Sequence, residues 1–108
     1  KGQQMPTTTI AGRSLEVNDE GFLADPQAWD EELGTELAHL IGIDMTDAHW
    51  QPIRFLREDY ATAGETATLR RVSTQAGIPV KELFALFPGK PAKKMAYVAG
   101  LPKPKGCV

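Results

Sequence analysis

Apolar and β-branched residues cluster in short runs at the start of the chain and then fall at helical spacing for most of its length. In "TTTIAGRSLEV" such residues flank Gly12 and Arg13, a pattern that predicts a short hairpin of Thr8–Ala11 against Ser14–Val17. Asn18–Gly21, "NDEG", reads as a turn. Asp25 and Pro26 then open a helix, because aspartate caps free N–H groups and proline suits the first helical position. Ala28, Trp29, Leu33, Leu37, Leu40 and Ile41 give that helix its apolar face, and Gly42 ends it. A second helix runs from a Thr46 cap to Gly64, with Trp50, Ile53, Phe55, Leu56 and Tyr60 as its stripe and Pro52 in its second turn. Thr66 is the expected cap of a third helix, Ala67–Ala76, with Leu69, Val72 and Ala76 inward. Pro79 opens a fourth helix bearing Val80, Leu83, Phe84 and Leu86. Pro91 opens a fifth, which reaches about Val98 and stops at Gly100.

These elements predict a mainly α fold: a small orthogonal bundle of about five helices, a helix-turn-helix-like pair, and a short N-terminal hairpin. Residues 1–6 are set aside as a disordered N-terminus or tag remnant, 7–100 form the domain, and 101–108 form a mobile C-terminal arm broken by two prolines and a glycine. The length of 108 residues fits one domain, and 42% hydrophobic content fits one modest core. No apolar run approaches the roughly 20 residues that span a bilayer, and the N-terminal stretch "KGQQMPTTT" lacks the apolar segment of a signal peptide. A single cysteine allows no internal disulfide, which agrees with a reducing, cytoplasmic setting.

Charge changes the picture at one end. The formal net charge is -2, yet no acid follows Glu82, and Lys90, Lys93, Lys94, Lys103 and Lys105 all do. A basic end on an acidic body suits an acidic partner surface or nucleic acid, and equally a solvated tail. The stretch "TLRRVSTQAGIPVKELFALF" has the form of a helix-turn-helix. Its second helix offers little to read base edges, but Arg70 and Arg71 on the first are placed for phosphate contact, and a purely structural helix pair fits as well. His39 and His49, with one distant cysteine, do not have the spacing of a metal site. There is no glycine-rich phosphate loop and no paired-carboxylate pattern, and no cofactor is expected.

Cys107 stands apart. Next to Gly106 and one residue from the end of "AGLPKPKGCV", it has little of this chain's core to pack against. Lys103 and Lys105 favour its thiolate and the Val108 carboxylate opposes it. Such a thiol can take up sulfur as a persulfide and pass it on, with Pro102 and Pro104 stiffening the approach. An incidental thiol on a frayed tail is the alternative.

The ending resembles the C-terminal arm of the DsrC/TusE family of sulfur carriers, in which a leucine-proline-lysine-proline run, a spacer, cysteine and an aliphatic residue follow one another. "VNDEGFLADPQAW", "HWQPIRFLREDY" and "LFPGKPAKKMAYVAGLPKP" extend the resemblance over about Ile10–Val108. It implies a small helical domain with an N-terminal hairpin, and Cys107 as the sulfur-bearing residue. Two-cysteine members carry a second arm cysteine eleven residues earlier, where this chain has Ala96. The internal disulfide of those members therefore cannot form here, as in TusE and other single-cysteine relatives. The resemblance implies a TusBCD-like or DsrEFH-like sulfur donor and a MnmA-like or sulfite-reductase-like acceptor, with tRNA as a further candidate partner for 2-thiouridine synthesis. By their charge, Lys90, Lys93, Lys94, Lys103 and Lys105 are expected to steer acidic partner surfaces or tRNA phosphates, with Arg70 and Arg71 further candidates for the same face. Ala67 stands where the family usually has proline, and "AGIPVKELFALFP" lacks the longer loop of many members.

Overall fold

The N-terminal alternation folds as a two-stranded antiparallel hairpin, β1 (Thr7–Ile10) against β2 (Arg13–Glu16), in a computed structural model that describes residues 7–105. Ile10 pairs with Arg13 and Thr8 with Leu15, so the turn is Ala11-Gly12, one residue earlier than the sequence predicts. The type I′ turn, one of the two-residue turns matched to strand twist, has positive φ at both central positions. Ala11 at 55° and Gly12 at 76° supply it. Arg13 is thereby freed to extend and grip both oxygens of Asp30, at 2.7 and 2.8 Å. The Asn18–Gly21 turn forms as predicted, with the Asn18 side chain accepting from the N–H groups of Glu20 and Phe22.

The predicted first helix is split. Asp25 caps a single 3₁₀ turn, Pro26–Ala28, and the chain is extended at Trp29. Asp30 then caps α1, Glu31–Leu40, by accepting from the Leu33 N–H. Trp29 is therefore not a helical residue. Two strong caps five residues apart each nucleate their own turn, and the break lets the Trp29 indole swing beneath the far end of the chain.

The longest helix, α2 (Asp47–Ala63), keeps its predicted limits. Thr46 and His49 make a reciprocal cap at its start, and Gly64, at φ 78°, ends it. Pro52 is buried inside α2, where its ring packs and its missing N–H is the cost. The third helix, α3, spans Leu69–Ala76 and is capped by Thr68, not Thr66. Thr66 is buried with its hydroxyl committed elsewhere, so Thr66 and Ala67 stay outside the helix. The short α4 (Val80–Leu86) and α5 (Pro91–Val98) complete the bundle.

The helical core gathers Ile53, Leu56, Val72, Leu83, Phe87, Met95 and Val98, each at most 1% exposed. A smaller cluster beneath the hairpin joins Ile10, Leu15 and Leu23 to Leu33 and Leu37 of α1. Complete burial of one such aliphatic side chain contributes about 1.5–3 kcal/mol, and α5 supplies Met95 and Val98. Val80 and Phe84 of α4 are 40% and 41% exposed; Leu83 alone anchors that helix fully. Among the described residues, no helix is long and apolar enough to cross a membrane.

Candidate functional site

The site is the exit of the chain from α5, with the surfaces on either side of it. Its centre is Trp29. The indole N–H donates to the Val98 carbonyl at 2.8 Å. The Arg57 guanidinium lies over the ring at 4.2 Å and donates to the carbonyls of Ala99 (2.7 Å) and Pro26 (2.9 Å). Burial draws the Arg57 pKa down, but a guanidinium remains charged at any ordinary pH. Trp50 meets Trp29 edge-on at 6.4 Å. Glycine supplies the space: a Cβ on Gly34 would lie 2.8 Å from the Trp29 ring, and one on Gly100 would lie 2.5 Å from it. Gly100 also has φ 71°, which turns the backbone off the helix end.

Beyond Gly100 the described residues lie along the body. Leu101 is buried, its N–H donating to the Ala96 carbonyl at 3.0 Å. Ala96 is itself fully buried within α5. The Thr66 hydroxyl donates to the Pro102 carbonyl at 2.7 Å. Pro104 is buried too. The Lys103 ammonium reaches Glu20 at 3.1 Å, and Lys93 reaches the other oxygen of the same carboxylate at 3.8 Å. Lys105 lies 3.4 Å from Glu65 on the other flank. Exposed pairs of this kind contribute about 0–1 kcal/mol each, so Leu101 and the Thr66 bond hold the segment more firmly than the ions do.

Gly106, Cys107 and Val108 lie outside the described residues, as do residues 1–6. The predicted basic residues are distributed around the exit in three groups. Lys90, Lys93 and Lys94 line a cleft of about 580 Å³ floored by Phe22, Ile41 and Tyr97. Lys103 joins this group through Glu20. Lys105 sits with Glu65 beside Thr66. Arg71 is occupied: it grips Asp59 with two hydrogen bonds, at 2.6 and 3.0 Å. Those bonds and the Arg71 charge hold the Asp59 carboxyl below its ordinary pKa and raise that of Arg71. Arg70 is exposed on α3 and makes no ion pair among the described residues. Among the described residues, three of the five C-terminal lysines thus spend their charge on carboxylates of the body, while Lys90 and Lys94 do not.

The histidines are structural or peripheral. His49 Nδ1 accepts from the Thr46 N–H at 3.1 Å, its Nε2 faces the Leu86 carbonyl at 3.1 Å, and its ring packs edge-on against Phe87. His39 is exposed, 3.5 Å from Asp44. Among the described residues, no three acids, histidines or cysteines come together as metal ligands. Sequence reasoning missed Trp29 and Arg57 as the clamp at the exit, and Glu20 and Thr66 as seats for the following segment. The one available signal was the indole N–H of a core tryptophan, which needs an acceptor.

Comparison with known proteins agrees with this geometry. The family model described as DsrC like protein matches residues 9–108. The sulfurtransferase TusE of Pectobacterium atrosepticum is 35% identical over 104 residues, covering 90% of this chain and 95% of that protein. The dissimilatory-type sulfite reductase subunit gamma of Nitratidesulfovibrio vulgaris is 37% identical over 105 residues, covering 96% and 100%. Among solved structures, the NMR structure of Allochromatium vinosum DsrC superposes with a TM-score of 0.84 at 32% identity, over 97% of this chain and all of that one. The oxidized gamma-subunit (DsrC) from Archaeoglobus fulgidus gives 0.79 at 34% identity, over 95% and 100%. With a family match running from the hairpin through the last residue, and relatives above 30% identity over nearly their full length, the chain belongs to the DsrC-like protein family.

Proposed function

We propose that this protein is a cytoplasmic sulfur-relay protein that carries sulfur as a persulfide on Cys107. The observation that carries the reading is the family match through residue 108, which includes the one thiol of the chain. The Cys107 thiolate attacks the outer sulfur of a donor's persulfide. A new sulfur–sulfur bond forms on Cys107, the donor's own bond breaks, and the donor leaves as a thiolate. An acceptor nucleophile then takes the outer sulfur, and Cys107 returns as a thiolate. Neither transfer needs an external oxidant or a cofactor. Residues 101–108 act as the carrying arm, and Trp29, Arg57 and Gly100 fix the direction in which it leaves the body.

Arg70, Lys90, Lys93, Lys94, Lys103 and Lys105 supply the basic surface that faces donor, acceptor or tRNA phosphates, with Arg71 held back by Asp59. In the tRNA form of the reading, the donor is TusBCD-like and the acceptor is MnmA-like, for 2-thiouridine. A second form has a DsrEFH-like donor and a sulfite-reductase-like acceptor. It is favoured by length: the alignment with the sulfite reductase subunit covers 96% of this chain over 105 residues. The alignment with the TusE protein covers 90% over 104, so that relative carries a handful of residues with no counterpart here.

The test is intact mass after incubation with a cysteine desulfurase and cysteine. The expected result is a gain of one sulfur atom, removed by reductant and absent from Cys107→Ser. Sulfur loading that persists in Cys107→Ser would refute the mechanism.

A further inference from the structure

The cleft beside α5 combines an apolar floor with unspent positive charge. Phe22 is 2% exposed, and Tyr97 packs edge-on against it at 5.8 Å, with Ile41 completing the floor. Burial pushes the Tyr97 phenol pKa up, which keeps that surface uncharged. At the rim, Glu20 already answers Lys93 and Lys103, while Lys90 and Lys94 have no carboxylate within 4 Å among the described residues. The volume, about 580 Å³, falls in the usual range for ligand pockets, about 300–1,000 Å³.

The two features restrict the occupant. A purely apolar ligand would cover the floor but desolvate two unpartnered ammonium groups, which is costly. A nucleic acid would bring the anions, but single-strand recognition needs an open aromatic face on which a base can stack. Here the one partly exposed ring lining the cleft, Tyr97, is turned edge-on into Phe22, and the Glu20 carboxylate stands at the rim. We infer that this cleft docks a segment of a partner protein that presents a bulky apolar side chain flanked by carboxylates. The inference rests on the relay reading only in taking the partner to be a protein, since a sulfur carrier must dock on its donor and acceptor.

The test uses the full chain carrying Cys107→Ser, so that no sulfur chemistry contributes. A displayed library of random peptides is selected against it, and the enriched peptide is titrated into isotope-labelled protein. The expected consensus is a leucine, methionine or phenylalanine between aspartates or glutamates. Amide shifts should fall on Gly21, Ile41, Gly89 and Tyr97. Lys90→Glu with Lys94→Glu should weaken binding by about tenfold or more, as charge reversal at a desolvated rim does, and the paired Lys→Arg variants should retain it. Both lysines are off the core, and a far-ultraviolet dichroism spectrum checks that the reversed variant folds.

Four results obtained with protein and peptides alone would overturn the inference. They are a library without enrichment, a basic consensus, equal binding by the charge-reversed variant, and shifts of the same amides with protein concentration alone, which would give the cleft to a second copy. Tighter binding of an oligouridylate at the same amides would give it to nucleic acid and overturn it too. Sulfur loading of the unmodified chain is read separately, so loss of the docking inference leaves the Cys107 mechanism standing, and the reverse.

Discussion

Gly100→Ala tests whether the chain's exit is clamped as described. Two separate costs arise. Gly100 has φ 71°, and an alanine held in that left-handed region costs about 1–2 kcal/mol. Its Cβ would lie 2.5 Å from Trp29 Cδ1 and 2.8 Å from Cγ. The ring cannot easily retreat, because its Nε1 is bonded to Val98, Arg57 covers it, and its benzene edge already sits against Gly34, where a Cβ would lie 2.8 Å away. Overpacking of this kind costs about 1–3 kcal/mol. The expected loss is about 2–5 kcal/mol, a fall in Tm of about 10–30 °C for a domain of this size. Gly64→Ala is the control: its φ is 78°, but nothing lies within 4 Å of the added carbon. Gly64→Ala should pay the backbone cost alone. Denaturant midpoints of both variants measure the difference, which isolates the clash with Trp29. Equal midpoints, within about 0.5 kcal/mol, would refute the clamp.

Thr66→Val removes the hydroxyl bonded to the Pro102 carbonyl while keeping the side-chain shape. It should cost about 1 kcal/mol and speed amide exchange at Leu101; unchanged exchange would show that the bond does not seat the segment. Asp59 titrates below its ordinary 3.8 in the folded state because Arg71 bonds its carboxylate. A carboxyl depressed on folding adds stability above its unfolded pKa, and that contribution is lost as pH falls through the folded value. The stability gap between the unmodified chain and Arg71→Ala should therefore be constant near neutrality and shrink below about pH 4, read by urea melts at several pH values. A gap that widens in acid would reverse the assignment.

Much of the fold was legible because each helix is punctuated by a residue with one strong local role. Gly42, Gly64 and Gly100 all adopt positive φ where the sequence placed helix ends. The misreadings share a different cause. The hairpin turn moved by one residue because Ala11 accepted a backbone region that alanine seldom enters. Trp29 left the first helix, and Thr66 gave up its cap, because each had a partner far along the chain: Val98, sixty-nine residues on, and Pro102, thirty-six residues on. Local pattern reports local energy. It carries no record of an indole or hydroxyl that gains more from a distant carbonyl than from its own turn.

The candidate site divides along the same line. Cys107 could be singled out from composition, since one thiol in 108 residues has no internal partner to pair with. Which lysines are free was not legible, because charge counting treats Lys93, Lys103 and Lys105 like Lys90 and Lys94. Only the three-dimensional arrangement sets Glu20 between Lys93 and Lys103, and Glu65 beside Lys105. This has a mechanistic consequence. Lysines that strap the exit segment to the body must break those pairs whenever that segment leaves it. Pairs this exposed cost about 1 kcal/mol or less to break, so they add little to the hold of Leu101 and Thr66, and less still as salt screens them. Among the described residues Lys90 and Lys94 have no such prior commitment, and the docking inferred above draws on their charge first.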